Sequence, residues 1–448
     1  MHVTVPSSKN KRYLSGFDWV MGVIDHILKK ATCSGNASQI VFELDSPVDS
    51  ADVQNFLSRF LKLFPVVQGR VSRDLNLAPY WRFPGNNHVN GLNLDVHHLE
   101  NSSPQKSAMS LMEEWVNRPF RNEQDHLAFH LIYTKSPKTY FGMTFDHRLF
   151  DARGAESFMH LFQEYLHNNG NVHIPRVGRL TASADLSQWK DKFEAGRRLN
   201  RKIIALSKTS LKSIPVTQNY SEKKKGFQFR LICFDKKDTE RIFTNAFEET
   251  GYLMVMPYFL SVAVQTMHEL FERKGLPADS YIVPVSVDKR SSEDIKKELF
   301  FNYASMFLFQ IHAHAVHDRK TLIREIKKQM YEQVQSCFPE NLLKAAALLR
   351  IAPVSFLKNI FLLPFEGKFA SFCFSHIGRC SYQSPEFMGA KINNLFHMPR
   401  VPVPPGIGIF FNSYNGALNV VISWLDGLVG DDEIFAMECN LRKILCGK

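Results

Sequence analysis

Two kinds of hydrophobic periodicity alternate along this chain, twice over, and a strongly basic segment separates the two series. Gln39–Leu44 alternates as a half-buried strand does, and Ser50–Leu63 then places Val53, Phe56, Leu57 and Phe60 at helical spacing. Pro65 stops that helix, and Val66–Val71 is expected to resume as a strand. A helical pattern follows at Ser107–Val116. Two β-rich runs come next, His126–Thr134 and Thr139–Phe145, and a helix from about Ala155 to His167 closes the first series. The second series begins near Gly226. Strand patterns lie at Phe227–Phe234, Tyr281–Val287, Tyr303–Ile311, Phe369–Phe374, Ile409–Ser413 and Leu418–Trp424. Helical patterns lie at Asp238–Glu249, Met256–Lys274 and Lys320–Gln335, and Asp431-Asp432-Glu433 opens a last helix with acids at its positive end. Asn415-Gly416 is a two-residue hairpin signal. With 448 residues the chain is too long for one compact core. The expected fold is α/β (α+β) in two lobes, residues 1–178 and 226–448, joined by a basic linker over 179–225.

Charge is concentrated in that linker. From Trp189 to Arg230 there are twelve Lys and Arg against three acids, so this tenth of the chain carries most of the net charge of +11. Read as a helix, the segment puts Trp189, Phe193, Leu199, Ile203, Ile204, Leu206, Leu211 and Ile214 on one arc, with the cations on the other. Three uses fit: docking on an anionic membrane surface, reception of an acidic carrier protein or the phosphates of CoA, or a solvated crossover helix. Nucleic acid is not expected, because interleaved aromatic residues are lacking. Leu342–Phe365 is apolar at 17 of 24 positions, but Lys344, Arg350 and Lys358 interrupt it and Pro353 breaks it. Two helices joined at Pro353 are expected there, and no membrane span. Seven cysteines without a CxxC pair, and a polar start from Met1 to Tyr13, point to a reducing, cytoplasmic setting, with peripheral membrane contact only through the basic linker. Phe is abundant at 37 residues, which points to a large apolar interior and weakly to an apolar acyl chain or lipid acceptor.

The chemistry is carried by Phe145-Asp146-His147-Arg148-Leu149-Phe150-Asp151-Ala152-Arg153-Gly154, which follows a buried-strand pattern and precedes a helix. A His at a strand end can project into a cleft and take a proton from a hydroxyl or amine at cellular pH, and an Asp four residues on can fix its loop. On residue types alone this pattern is also met as an ordinary loop His beside a charged partner.

The run resembles the HHxxxDG signature of the CoA-dependent acyltransferase superfamily, which includes chloramphenicol acetyltransferase, condensation domains, BAHD enzymes and wax ester synthases. Other stretches resemble its segments in the same order. They are Leu63–Val71 (hP-hhxGRh), Val283–Arg290 (VPVxxR), Phe301–Ser305 (GNxxS), Ser371–Gly378 (fxxSNxG) and the hairpin Asn412–Leu425. Asp146 stands for the first His of the signature, Ala152 for its Gly and His376 for the Asn of SNxG, and the DFGWG of the BAHD branch is absent.

The resemblance implies a two-lobed chloramphenicol acetyltransferase-like fold with an active-site tunnel at the lobe interface. It implies acyl transfer from a thioester, acyl-CoA or acyl-carrier protein, to a hydroxyl or amine, without a covalent enzyme intermediate. His147 would be the general base. Asp151 would be structural, with Arg290 as its expected partner, and Ser375, Ser413 and Asn302 would be candidates for oxyanion or tunnel roles, Asn302 more as an architectural residue. A small-molecule or lipid acceptor and an acyl carrier protein are the expected partners. No bound cofactor and no metal are expected, CoA or the phosphopantetheinyl carrier entering as co-substrate. A stand-alone condensation-type enzyme with carrier-bound substrates is the second reading, and a silent binding protein that keeps the fold is the third. His312-Ala313-His314-Ala315-Val316-His317-Asp318 would offer a zinc face only if His312 and His314 lay on one strand.

Overall fold

The computed structural model describes residues 10–84, 93–99, 104–174, 189–207, 212–215, 225–251, 254–276, 278–290, 298–362, 367–368 and 370–447. Its strands in chain order are β1 (Lys11–Tyr13), β2 (Ala37–Leu44), β3 (Arg70–Arg73), β4 (Pro79–Arg82), β5 (Leu94–His98), β6 (Leu127–Tyr133) and β7 (Thr139–Asp146). There follow β8 (Phe227–Phe234), β9 (Ser280–Asp288), β10 (Ala304–His312), β11 (Cys373–Arg379), β12 (Glu386–Phe387), β13 (Ala390–Pro399), β14 (Ile407–Tyr414) and β15 (Ala417–Leu425). They form two six-stranded sheets, one per lobe, ordered β12-β13-β2-β7-β6-β5 and β10-β9-β11-β14-β15-β8. A small sheet, β1-β4-β3, flanks the first.

Strands β2 and β7 are buried throughout, and their alternation sends side chains into two different cores. Phe42, Phe141, Met143 and Phe145 pack with Phe60, Phe158 and Phe162, contributed by helices Ser50–Leu61 and Ala152–His167. Val41 and Tyr140 face the other way, with Met112 and Trp115 of helix Pro104–Asn117, into the core shared with the second sheet. There Val283, Phe309, Ile409 and Val420 pack with helices Lys236–Thr250, Val255–Arg273, Arg319–Gln335 and Asp431–Cys446.

The lobes are not separate in sequence. β12 and β13, inside the stretch expected to form the second lobe, complete the edge of the first sheet, β13 pairing with β2 and β12 with β13. Buried amides then tie β13 to β14 and β15. Asn394 and Asn419 exchange hydrogen bonds at 3.0 and 2.8 Å, and Asn412 Nδ2 and Asn419 Nδ2 both donate to the Leu395 carbonyl at 2.9 Å.

Several local expectations need correction. Pro65–Gln68 is a 3₁₀ turn and the strand starts only at Arg70, since Pro65 cannot donate to a ladder and is suited to a first helical position. Helix Gly16–Ala31 has no counterpart in the periodicity reading; its Ser15–Asp18 capping box closes the start. The basic segment is helical over Trp189–Ser207 and packs on helix Phe338–Leu349; within it Leu206 of the expected apolar arc is buried, together with Ala195, which was not on that arc. Phe193 and Ile204, also on the expected apolar arc, are 55% and 48% exposed. Leu211 and residues 216–224 of that segment lie outside the described residues. The apolar stretch divides into helices Phe338–Leu349 and Val354–Leu362 around Pro353. Among the described residues no helix is long and apolar enough to cross a membrane. His312 ends β10 while His314 lies in the helical turn Ala313–Val316, so the two do not share a strand face. Among the described residues no cluster of three or more His, Cys, Asp or Glu is arranged to hold a metal ion. The surplus of Phe fills the cores: Phe60, Phe64, Phe150, Phe158 and Phe300 meet at centroid distances of 5.0 to 5.8 Å.

Candidate active site

Strand β7 delivers Asp146 and His147 to the junction of the lobes, and the two side chains go to different places. The Asp146 carboxylate is buried and accepts from Arg148 Nη2 at 2.6 Å and from the His126 ring Nδ1 at 2.9 Å, while His126 Nε2 meets the Gly69 carbonyl at 2.7 Å. Burial alone would raise the Asp146 carboxyl; the Arg148 guanidinium and the His126 ring more than reverse that and hold it well below the usual carboxylate range. Arg148 also approaches Asp25 at 3.6 Å. Asp146 is thus one member of a compensated buried charge cluster, and it does not line the cleft of His147.

His147 is fixed through its backbone. Its N–H donates to the Asn36 carbonyl at 2.8 Å, and its carbonyl accepts from Asn302 Nδ2 at 2.9 Å. Its ring Nδ1 is buried and makes no hydrogen bond to a described residue, leaving Nε2 as the nitrogen open to a cleft of about 220 Å³ between the lobes. The first lobe lines this cleft with Phe17, Met21, His147 and Arg153, and the second with Ser286, Asp288, Ser375 and His376. Phe17 is the one Phe of the lining among the described residues, so the abundance of Phe does not make this an apolar tunnel.

Asp151 caps helix Ala152–His167: Oδ1 accepts from Gly154 N at 2.8 Å. Its Oδ2 accepts from Arg290 Nη2 at 2.8 Å and from Tyr303 N at 3.2 Å. Arg290 also donates through Nε to the Glu298 carbonyl at 3.0 Å. Burial works against the Arg290 charge, but the Asp151 carboxylate outweighs it and holds the guanidinium above its ordinary value. The five residues from His147 to Asp151 are therefore anchored at both ends, to Asn36 just ahead of β2 and to the β9–β10 connection, which sets the imidazole in one place.

The other candidates separate. Asn302 is buried and joins three pieces: its N–H donates to Asp18 Oδ1 at 3.1 Å and its amide holds the His147 carbonyl. Ser375 lines the cleft. Ser413 lies on β14 beside Arg379 and is not among the lining residues. Several lining groups were missed as site residues by sequence reasoning, Ser286 and Asp288 among them. Phe17 and Met21 belong to helix Gly16–Ala31, whose Ser15-x-x-Asp18 start was the available signal. Arg153, in the motif run itself, reaches across the lobes to the Ile377 carbonyl at 2.6 Å and to Asp288 at 3.3 Å. His376 stacks on Phe259 at 4.7 Å, and its Nε2 is buried without a hydrogen-bond partner among the described residues. Burial first, and the Arg153 charge second, push its imidazole down to about 4, so it is neutral at cellular pH.

This two-lobed fold is similar to that of solved condensation domains and of an acetyltransferase. The first condensation domain of the CDA synthetase superposes with a TM-score of 0.68, covering 98% of this chain and 96% of that one at 13% identity. The TRI3 trichothecene 15-O-acetyltransferase from Fusarium sporotrichioides gives 0.69, covering 99% and 97% at 14% identity. The EpoB cyclization-docking bidomain from Sorangium cellulosum gives 0.67, covering 99% and 86% at 11% identity. No family model and no curated protein sequence matches the chain.

Proposed function

We propose that this protein transfers an acyl group from a thioester to a hydroxyl or amine, with His147 as general base. The observation that carries this reading is the presentation of His147 Nε2 to an interlobe cleft on a loop clamped by Asn36, Asn302 and the Asp151–Arg290 pair. Fixing one imidazole beside the reacting groups converts an encounter of three bodies into a positioned one. In the step proposed, Nε2 takes the acceptor's proton as its oxygen or nitrogen attacks the thioester carbonyl. The C–S bond then breaks, the thiolate recovers the proton from His147, and the ester or amide leaves. Ser375, on the opposite wall, is the candidate hydrogen-bond donor to the oxyanion. Condensation-domain neighbours favour a carrier-bound donor as much as acyl-CoA, and both enter as co-substrates.

Release of free thiol from a panel of acyl-CoA and acyl-phosphopantetheinyl carrier donors tests the proposal. His147→Ala is expected to lower kcat by about 10²–10⁴. Its unfolding midpoint should be unchanged, since neither ring nitrogen bonds a described residue. Wild-type turnover in that variant would overturn the assignment, and absence of turnover with every donor would favour a silent binding protein.

A further inference from the structure

A second cavity, of about 360 Å³, lies beside the cleft of His147 and shares Phe17, Asn302 and Ala304 with it. Arg12, Lys192, Lys289 and Arg350 line it, and among the described residues no carboxylate does. Two of these cations are compensated close by, Arg12 by Asp18 at 3.1 Å and Lys289 by Glu340 at 2.5 Å. Lys192 and Arg350 have no carboxylate oxygen of a described residue within ion-pair distance.

The guanidinium groups are also incompletely bonded. Arg350 Nη1 donates to the Leu14 carbonyl at 2.8 Å, but its Nε is buried and has no acceptor among the described residues. Arg12, only 4% exposed, likewise leaves Nε without an acceptor. Burial draws the Arg350 guanidinium below its ordinary value, with Asp18 and Asp74 opposing from a distance. A cation withdrawn from water without its acceptors is unfavourable until an anion completes the set.

We infer that this cavity is the subsite for an oxyanion of the acceptor, a carboxylate or phosphate a few bonds from the attacking group, held by Arg350 and Lys192. This rests on the transferase reading. Asn302 sets the scale, since it donates to the His147 carbonyl at 2.9 Å and lines both cavities. In a pantetheine thioester about a dozen bonds, on the order of 15 Å when extended, separate the phosphate from the carbonyl. That phosphate belongs farther out than a cavity abutting the cleft. The two cations without a carboxylate partner among the described residues select an acceptor that carries an anionic group. This also gives the basic helix one specific contribution, because Lys192 alone of its cations lines this cavity.

Calorimetric titration of the full chain with inorganic phosphate reads the subsite without turnover. One phosphate should bind, about tenfold or more weakly in Lys192→Gln and in Arg350→Gln. Lys192 makes no contact the fold depends on, so its variant keeps the test valid if Arg350→Gln fails to fold. Absence of phosphate binding in the wild type, or undiminished binding in Lys192→Gln, overturns the subsite. The kinetic arm compares hydroxy and amino acids with their amides, each with CoA thioesters and with phosphate-free pantetheine thioesters. A KM raised about tenfold by Lys192→Gln for the acid but not for the amide, with both donors unaffected, supports the assignment to the acceptor. A rise confined to the CoA donor overturns it in favour of the donor's phosphate. Variant-sensitive phosphate binding in a protein that acylates no acceptor would keep the anion site and overturn the transferase reading instead.

Discussion

Replacing Asp151 by Asn changes one charge and almost no volume, and it isolates the support behind His147. In the native arrangement Oδ1 accepts from Gly154 N at 2.8 Å, while Oδ2 accepts from Arg290 Nη2 at 2.8 Å and Tyr303 N at 3.2 Å. An Asn in the same rotamer keeps Oδ1 and with it the helix cap, but turns an NH₂ group towards two donors. Arg290, whose side chain is 2% exposed, is left with the Glu298 carbonyl and a longer contact of 3.4 Å to Asp288. Breaking a buried pair from one side costs about 3–5 kcal/mol, and the residual Asp288 contact lowers the expectation to about 2–4 kcal/mol. Asp151→Ala should lose about 1 kcal/mol more, the cap itself. Urea unfolding followed by tryptophan fluorescence, on Asp151→Asn, Arg290→Gln and the double variant, gives the coupling. It should reach about 1–3 kcal/mol, so that the double variant is little worse than the worse single one. A loss under about 0.5 kcal/mol in Asp151→Asn, or simple additivity, would refute the reasoning.

Glu113 ties helix Pro104–Asn117 to β8 by accepting from Phe229 N at 2.9 Å, and burial pushes its carboxyl up to about 7 against that bond and the Arg230 charge. The folded state keeps this proton after the unfolded chain has released it, so the stability present below the usual carboxylate range is lost as pH rises to 7 and beyond. Glu113→Gln should flatten that slope, gaining on the wild type by of the order of 2–3 kcal/mol between pH 4 and pH 8 in denaturation midpoints; parallel pH profiles would count against it. A Cβ at Gly16 would stand 2.2 Å from the Ala346 carbonyl carbon, so Gly16→Ala must push helix Phe338–Leu349 outward. A loss of about 1–3 kcal/mol, accompanied by weaker phosphate binding as Arg350 moves, is the expected outcome, and a silent substitution would contradict this packing. On the basic helix, exposed Phe193 and Ile204 share a face with Arg197 and Arg201. The protein should sediment with anionic vesicles at low salt, leave them at high salt, and bind less as Phe193→Ser; no sedimentation at low salt removes the membrane as a partner of this helix.

Much of the architecture was legible because it is local. The alternation in Thr139–Phe145 and Phe227–Phe234 appears as β7 and β8 almost residue for residue, and Asn415-Gly416, at φ 48° and 81°, makes the hairpin turn between β14 and β15. His147 and Asp151 stood out as a strand-end His with an Asp four residues on. What reaches them did not. The Phe150–Phe301 bridge, the Asn302 bond to the His147 carbonyl and the Arg290 bond to Asp151 join residues some 140 to 155 positions apart. Periodicity tells which face of an element is apolar and says nothing of which element will cover it. For that reason the apolar arc of the basic helix could be drawn but not its cover: Phe193 and Ile204 stay exposed, whereas Leu206 of the same arc is buried beside Ile282 and Leu308. The same reason applies to β13, whose pattern suits either lobe. It pairs with β2, some 350 residues earlier, because there its Leu395, Phe396 and Met398 are buried while Asn394 finds Asn419 across the lobe junction. Local composition decided which segments could be strands and helices. Burying their apolar faces while satisfying the few buried amides and charges decided where they went, and that choice placed His147 at the junction of two lobes.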